Sequence, residues 1–99
     1  MNIEHILPQT PENWGLDKAE IKSYVNKIGN LVLLSKRKNS AVGNEKLSTK
    51  IDVLKTSEIK MTNDLGLEIE RIGKWDESLI LDRQRTLAGL AYDKIWTLN

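Results

Sequence analysis

Residue types that can take part in hydrolytic chemistry lie in and around two short apolar stretches of this 99-residue sequence. The first stretch carries a carboxylate, Glu4, beside His5, the single histidine of the chain. Asn30 opens the second stretch, and Asn39 follows it in a basic segment. Imidazole suits the role of a general base because its unperturbed pKa of about 6.5 lies near neutrality. Carboxylate and amide oxygens suit hard divalent cations, so these residue types together could serve metal-dependent hydrolysis.

Taken singly, these residues allow an ordinary structural interpretation. A lone histidine near a strand end is usually a structural or surface residue. Neighbouring side chains of a strand point to opposite faces, so Glu4 and His5 can face one substrate only where the strand ends or twists. Pro8 favours such an end, because proline removes a backbone donor. On these signals alone the sequence indicates a small α-rich domain with a two-stranded piece.

The first half of the chain predicts two strands and a helix. Residues 3–7 form a strand that Pro8 stops. Asp17 is a predicted N-cap of a helix that runs to about Lys27 and ends before Gly29. Residues 30–34 are predicted to form a strand buried on both faces, because Leu31 to Leu34 are apolar throughout.

The second half predicts helices. One spans about 45–54, a second is capped by Thr62 or Asn63 and ends at Gly73, and a third runs from an Asp76 N-cap to about Trp96. The last helix has a mainly apolar stripe that predicts a core-facing side: Leu79, Ile80, Arg83, Leu87, Leu90, Ala91, Lys94 and Ile95. Arg83 within it reaches a carboxylate, reaches backbone carbonyls or extends along the surface to solvent. Three tryptophans are predicted core residues: Trp14, Trp75 and Trp96.

Composition excludes several classes of site. The chain has no cysteine, which excludes disulfides, thiolate zinc sites and a cysteine nucleophile, and fits a reducing cytoplasm. No apolar run is long enough to span a bilayer, and no signal peptide is visible. The net charge of +1 is uneven, because residues 36–60 carry seven basic and three acidic residues, a local +4. That segment could contact phosphates, or it could be an ordinary solvated helix face.

In combination, the two stretches resemble the HNH (ββα-metal) nucleases, and among them the C-terminal domain family of GmrSD-type restriction endonucleases. The likeness lies in Ile3-Glu4-His5-Ile6-Leu7-Pro8-Gln9 and in Ile28-Gly29-Asn30-Leu31-Val32-Leu33-Leu34. It continues through Trp14, Asn39, Asn44, Lys46, Trp75, Ile80, Arg83 and the Ile95-Trp96 ending, so it covers nearly the whole chain.

The resemblance implies a role for each matching residue. His5 is the expected general base, and Glu4 the expected ligand of a divalent cation, Mg²⁺ or Mn²⁺. Asn39 is expected to be a second ligand or to orient the catalytic water, and Asn30 to hold His5 in position by binding loop backbone. The resemblance also implies that Asn44 and Lys46 approach the phosphates. By their charge, the basic residues Lys36, Arg37, Lys38, Lys46 and Lys50 are candidates for contacts with the DNA backbone.

The expected fold is α+β and mostly helical: a short two-stranded antiparallel hairpin plus a helix, with additional C-terminal helices. Residues 1–45 would form the ββα-metal motif and residues 46–99 its helical support, in a single domain that looks like the C-terminal piece of a larger protein. The expected function is a cytoplasmic restriction endonuclease domain acting on DNA, and the partner that the resemblance implies is an NTP-binding domain of ParB-like type, either upstream in the same protein or separate. The alternatives are a non-catalytic nuclease remnant that binds DNA or protein, and a helical interaction domain that docks through residues 79–95.

Overall fold

The computed structural model describes residues 2–35 and 46–97, with side-chain positions up to residue 90. Strands β1 (Asn2–His5) and β2 (Leu31–Leu34) pair antiparallel, with Glu4 opposite Val32 and His5 opposite Leu31. The described helices are α1 (Lys18–Ile21), α2 (Leu47–Lys55), α3 (Lys60–Ile72) and α4 (Glu77–Thr97), together with 3-10 helices Pro11–Trp14 and Ile28–Asn30. The predicted α+β, mostly helical fold is confirmed.

Strand β2 is buried on one face only, so the prediction of burial on both faces is wrong. Val32 and Leu34 are buried, whereas Leu33 between them is 46% exposed. Ile3, which lies opposite Leu33, is exposed as well. Strand residues alternate between faces, and among the described residues only the Val32 face meets the core.

Helix α1 is shorter than the sequence predicts. The predicted cap is confirmed, since Asp17 Oδ1 accepts a hydrogen bond of 3.0 Å from the Glu20 N–H. The helix ends at Ile21, and the chain continues in turns rather than running helically to Lys27. Those turns bring the Val25 carbonyl to the Asn30 side chain, which requires the backbone to leave the helix.

Helices α2 and α3 pack closely on each other. A Cβ at Gly66 would lie 2.7 Å from the Leu54 Cβ, so the two backbones meet where a larger residue would not fit. Helix α3 begins at Lys60, so the predicted cap at Thr62 or Asn63 is wrong. Asn63 lies inside the helix and donates instead to the Lys55 carbonyl of α2. Gly73, with a φ of 84°, ends α3 as predicted.

Helix α4 closes the core from the other side. Its predicted cap is confirmed, because Asp76 Oδ1 accepts a 3.1 Å hydrogen bond from the Leu79 N–H. Ile80 is fully buried, and Leu79 and Leu87 are partly buried. Leu90 is 58% exposed, so the predicted core stripe is wrong at this residue. No helix in the described ranges has the length and apolar content needed to cross a bilayer.

One cluster of buried side chains forms the core. It receives residues from β2, from the segment that follows β1, from α1 to α4 and from the connections between them: Ile6, Leu7, Ile21, Tyr24, Val25, Val32, Leu34, Leu54, Ile69, Trp75 and Ile80. Trp75 is a core residue as predicted, and Trp14 packs against the cluster from a partly buried position. The side chain of Trp96 lies outside the described residues.

One polar side chain from each of three helices donates a hydrogen bond to a backbone carbonyl at an edge of the strand pair. Alternate carbonyls of an antiparallel pair point away from the partner strand and need other donors. Lys50 of α2 donates to the His5 carbonyl, Thr62 of α3 to the Leu33 carbonyl, and Arg83 of α4 to the Leu31 carbonyl. Arg83 also donates to the Gly29 carbonyl, which identifies backbone carbonyls as its partners among the predicted possibilities.

Candidate active site at the end of the strand pair

The Glu-His pair lies where β1 ends and the Ile28–Asn30 turn enters β2. The Ile6 N–H donates to the Asn30 carbonyl at 2.9 Å, which continues the strand register by one pair beyond His5. Asn30 therefore sits beside the residues that follow His5 in the chain. The structure thus brings Glu4, His5 and Asn30, three predicted site residues, to one end of the sheet.

Asn30 is fully buried, and its amide group is fully hydrogen bonded. Its Oδ1 accepts from the Leu7 N–H at 2.8 Å and from Trp75 Nε1 at 2.9 Å. Its Nδ2 donates to the carbonyls of Leu7 at 2.9 Å and Val25 at 2.8 Å. An amide has two donor hydrogens and two acceptor lone pairs, and all four are used. Asn30 binds loop backbone, as the resemblance implies, and its catalytic contribution stays a prediction.

The His5 ring is held by Asn26, a residue that the sequence analysis did not identify. The His5 Nε2 lies 2.9 Å from Asn26 Oδ1, and the amide of Gln9 donates to the same oxygen at 3.4 Å. An amide oxygen only accepts hydrogen bonds, so the proton of a neutral His5 ring lies on Nε2. This leaves Nδ1 as the basic nitrogen. No sequence signal separates Asn26 from an ordinary turn residue.

Glu4 contacts a different element from His5, as alternation along a strand requires. Its Oε1 lies 3.1 Å from Lys50 Nζ of α2. The same Nζ donates to the His5 carbonyl at 2.6 Å. Burial lowers the pKa of Lys50 from its usual value, and the Glu4 carboxylate offsets part of that shift.

The predicted DNA contact at Lys50 is wrong. This residue is only 2% exposed and its ammonium group is occupied inside the protein, so it does not reach a phosphate. Lys46, which precedes α2, is exposed and stays a predicted phosphate contact. Five further predicted site residues lie outside the described residues: Lys36, Arg37, Lys38, Asn39 and Asn44.

The described residues alone do not fit a divalent cation. Nowhere in residues 2–35 and 46–90 do three acidic or histidine side chains come together as a metal would require. Glu4 supplies one carboxylate, and an ammonium group lies 3.1 Å from one of its oxygens. The second predicted ligand, Asn39, lies outside the described ranges. The predicted Mg²⁺ or Mn²⁺ site thus stays a prediction.

A histidine held in one tautomer at a strand end, by a hydrogen bond that leaves Nδ1 basic, is suited to abstracting a proton during hydrolysis. The chain itself belongs to the family described as GmrSD restriction endonucleases, C-terminal domain, whose family model matches residues 1–90. This places it among restriction endonuclease-related proteins. No curated protein and no solved structure matches the chain.

Proposed function

We propose that this chain is a metal-dependent DNA endonuclease domain of the HNH type, hydrolysing phosphodiester bonds in defence against foreign DNA. The observation that carries the proposal is the Asn26 hydrogen bond to His5 Nε2, because it leaves Nδ1 as a base. Family membership supports the restriction role and DNA as substrate. The divalent cation is proposed from the resemblance to the HNH nucleases.

His5 performs the proton transfer in the proposed reaction. Its Nδ1 accepts a proton from water while the water oxygen forms a bond to phosphorus. The bond from phosphorus to the leaving oxygen breaks, and that oxygen takes a proton from solvent. The charged ring keeps its Nε2–H hydrogen bond to Asn26 Oδ1, which stabilises the imidazolium and fixes its orientation.

Asn30 acts as a positioning residue in this proposal. It binds the N–H and the carbonyl of Leu7, two residues beyond His5, and connects them to Trp75 in the core. A base must hold its place to within a fraction of an ångström for efficient transfer. The exposed Lys46 is proposed to contact the DNA backbone, which orients the duplex without reading its sequence.

Cleavage of supercoiled plasmid tests this function. The parent chain is expected to nick plasmid with Mg²⁺ or Mn²⁺ and to stop when EDTA is added. His5→Gln keeps an amide that can bond Asn26 but removes the base, so cleavage should fall about 100-fold or more. Lys60→Ala is the matched control, since that side chain is 88% exposed and its ammonium group pairs with Asp64 of the same helix. Nicking that survives both EDTA and His5→Gln contradicts the proposal.

The second candidate is a nuclease remnant that binds DNA without cutting it. The Lys50 ion pair favours it, because that ammonium occupies the carboxylate expected to bind the cation. This candidate predicts DNA binding that weakens steeply with salt, with no nicking under any metal condition.

The NTP-binding partner of ParB-like type stays a prediction. A plasmid assay with and without that partner and NTP tests it.

A further inference from the structure

Lys50 has the largest fully buried side chain in the part of the protein that the structure describes. Its single ammonium group binds both residues of the Glu4–His5 dipeptide, through the Glu4 carboxylate at 3.1 Å and the His5 carbonyl at 2.6 Å. Of the two atoms bound, one belongs to a side chain and the other to the backbone. Helix α2 is therefore attached directly to the end of β1.

Stability does not explain why this buried residue is a lysine. Taking an ammonium group out of water costs more than one ion pair usually returns, and an apolar side chain of similar volume is often equally stable at such a site. Other residues of the same helix already attach it to the core by hydrophobic contacts, because Leu54 belongs to the core cluster and Leu47 and Val53 pack against that cluster. A charge retained there calls for a role beyond packing.

The contact with the His5 carbonyl fixes the backbone from which the base projects. That carbonyl points away from β2, so the strand pairing does not restrain it. Lys50 supplies the restraint on that side, and Asn26 restrains the ring itself. The base is therefore held at two points, one on its backbone and one on its ring.

We propose that Lys50 is a positioning residue that holds the Glu4–His5 pair in its working geometry by one ammonium group. The inference rests on the proposed role of His5 as base. It assigns Lys50 no contact with DNA, since the side chain is 2% exposed.

The absence of cysteine from the chain allows a test with a chemically restored lysine. Lys50→Cys is alkylated in denaturant and then refolded. Aminoethylation rebuilds a lysine-like side chain with its ammonium group, whereas propylation builds a neutral side chain of the same length. Lys55→Cys, treated in both ways, is the matched control on the same helix, because Lys55 pairs with Glu70 at the surface.

Two readouts separate positioning from packing. The first is the ring ¹⁵N chemical shift of the only histidine, which reports its tautomer without any activity assay. The second is kcat and KM for plasmid nicking. We expect the propyl form to populate both tautomers and to lose about 100-fold in kcat with KM nearly unchanged. The aminoethyl form should restore the Nε2–H tautomer and kcat, and both Lys55 forms should match the parent.

Equal tautomer populations in the aminoethyl and propyl forms of the Lys50→Cys variant overturn the proposal. If the propyl form does not fold, adding Glu4→Gln removes the negative charge that faced the ammonium group, and the tautomer comparison is made in that background. If the parent chain does not nick plasmid, the proposed nuclease function fails, while the tautomer comparison still decides the role of Lys50. The two proposals can therefore fail separately.

Discussion

Asn30 and Lys50 are both buried polar residues at the same end of the strand pair, but they are held in different ways. Asn30 is neutral, and all four hydrogen-bonding positions of its amide are used. Lys50 carries a charge and binds one carboxylate and one carbonyl. A neutral amide with complete hydrogen bonding costs little to bury, whereas an ammonium group costs much even when paired.

This difference separates a residue that stabilises the fold from one that stabilises a particular geometry. Asn30 connects three segments, the Leu7 loop, the turn at Val25 and Trp75. The stability that these hydrogen bonds supply is enough to explain why an asparagine is buried at this position. Lys50 could be replaced by apolar volume together with a neutral partner at little cost in stability. The comparison therefore predicts that a second substitution can restore the stability lost at Lys50 but not the stability lost at Asn30.

The largest expected effect is at Asn30. Asn30→Ala leaves four buried groups without partners, and we expect a loss of about 4 kcal/mol in the free energy of unfolding. Urea denaturation followed by Trp fluorescence measures this loss. Asn30→Asp is the control that keeps the acceptor oxygen and loses the donors, and it should not recover the parent stability. A loss below about 1 kcal/mol for Asn30→Ala would contradict the conclusion that Asn30 stabilises the fold.

The next effect is at Lys50, where compensation is expected. Lys50→Met removes the ammonium group that lies 3.1 Å from the Glu4 carboxylate, and we expect a loss of about 3 kcal/mol in the free energy of unfolding. Glu4→Gln combined with Lys50→Met should return to within about 1 kcal/mol of the parent. The same denaturation experiment tests both variants. A double variant as unstable as Lys50→Met alone would show that Lys50 stabilises the fold in the way that Asn30 does.

A smaller effect is expected at Gly29, which presses the Asn30 turn against α4. A Cβ there would lie 2.0 Å from the Ile80 carbonyl oxygen, so Gly29→Ala forces helix and turn apart at a cost of about 2 kcal/mol or more. Gly89→Ala, a substitution within α4 itself, is the matched control. Nothing lies within 4 Å of its added Cβ, and we expect a gain of about 0.5 to 1 kcal/mol from helix propensity. Equal effects at the two glycines would contradict the close approach.

The smallest expected effect is a pH dependence at Tyr24. Burial, and then the nearby carboxylates Glu77, Glu20 and Asp76, raise the pKa of Tyr24 above 10.0. Its contribution to stability is present below pH 10 and is lost as pH rises through the raised pKa, since the unfolded state then releases the proton first. Lys50 acts in the opposite direction, because its lowered pKa makes stability rise towards pH 10.5. Melting temperatures at pH 8 to 11 should therefore fall less steeply for Tyr24→Phe than for the parent, and identical slopes would count against the Tyr24 assignment.

Local chemistry made part of this fold predictable. Asp17 and Asp76 cap their helices and Gly73 ends α3, because each signal acts within one turn of its own chain. The α+β class followed from the spacing of apolar residues. Long-range packing decided the rest: the solvent exposure of Leu33 and Leu90 depends on where other elements lie, and no periodicity encodes that.

The candidate site shows the same division. The Glu4–His5 pair and Asn30 carry a recognisable pattern, and the structure places all three at one end of the sheet. Lys50 was predicted as a DNA contact because a lysine in a basic segment looks exposed from sequence alone. Asn26 was missed because its contact with His5 joins residues 21 positions apart in a turn without any motif.

The three hydrogen bonds from helix side chains to carbonyls at the strand edges have a consequence for the order of folding. Two strands alone are marginally stable in water, and the carbonyls of His5, Leu33 and Leu31 are bonded by residues that lie 45, 29 and 52 positions further along the chain. Closing such long loops delays those bonds relative to helix formation. Strand pairing is therefore expected to complete late, in one cooperative step with helix docking, and the backbone amides of Glu4 and Val32 should exchange their hydrogens only when the whole domain unfolds.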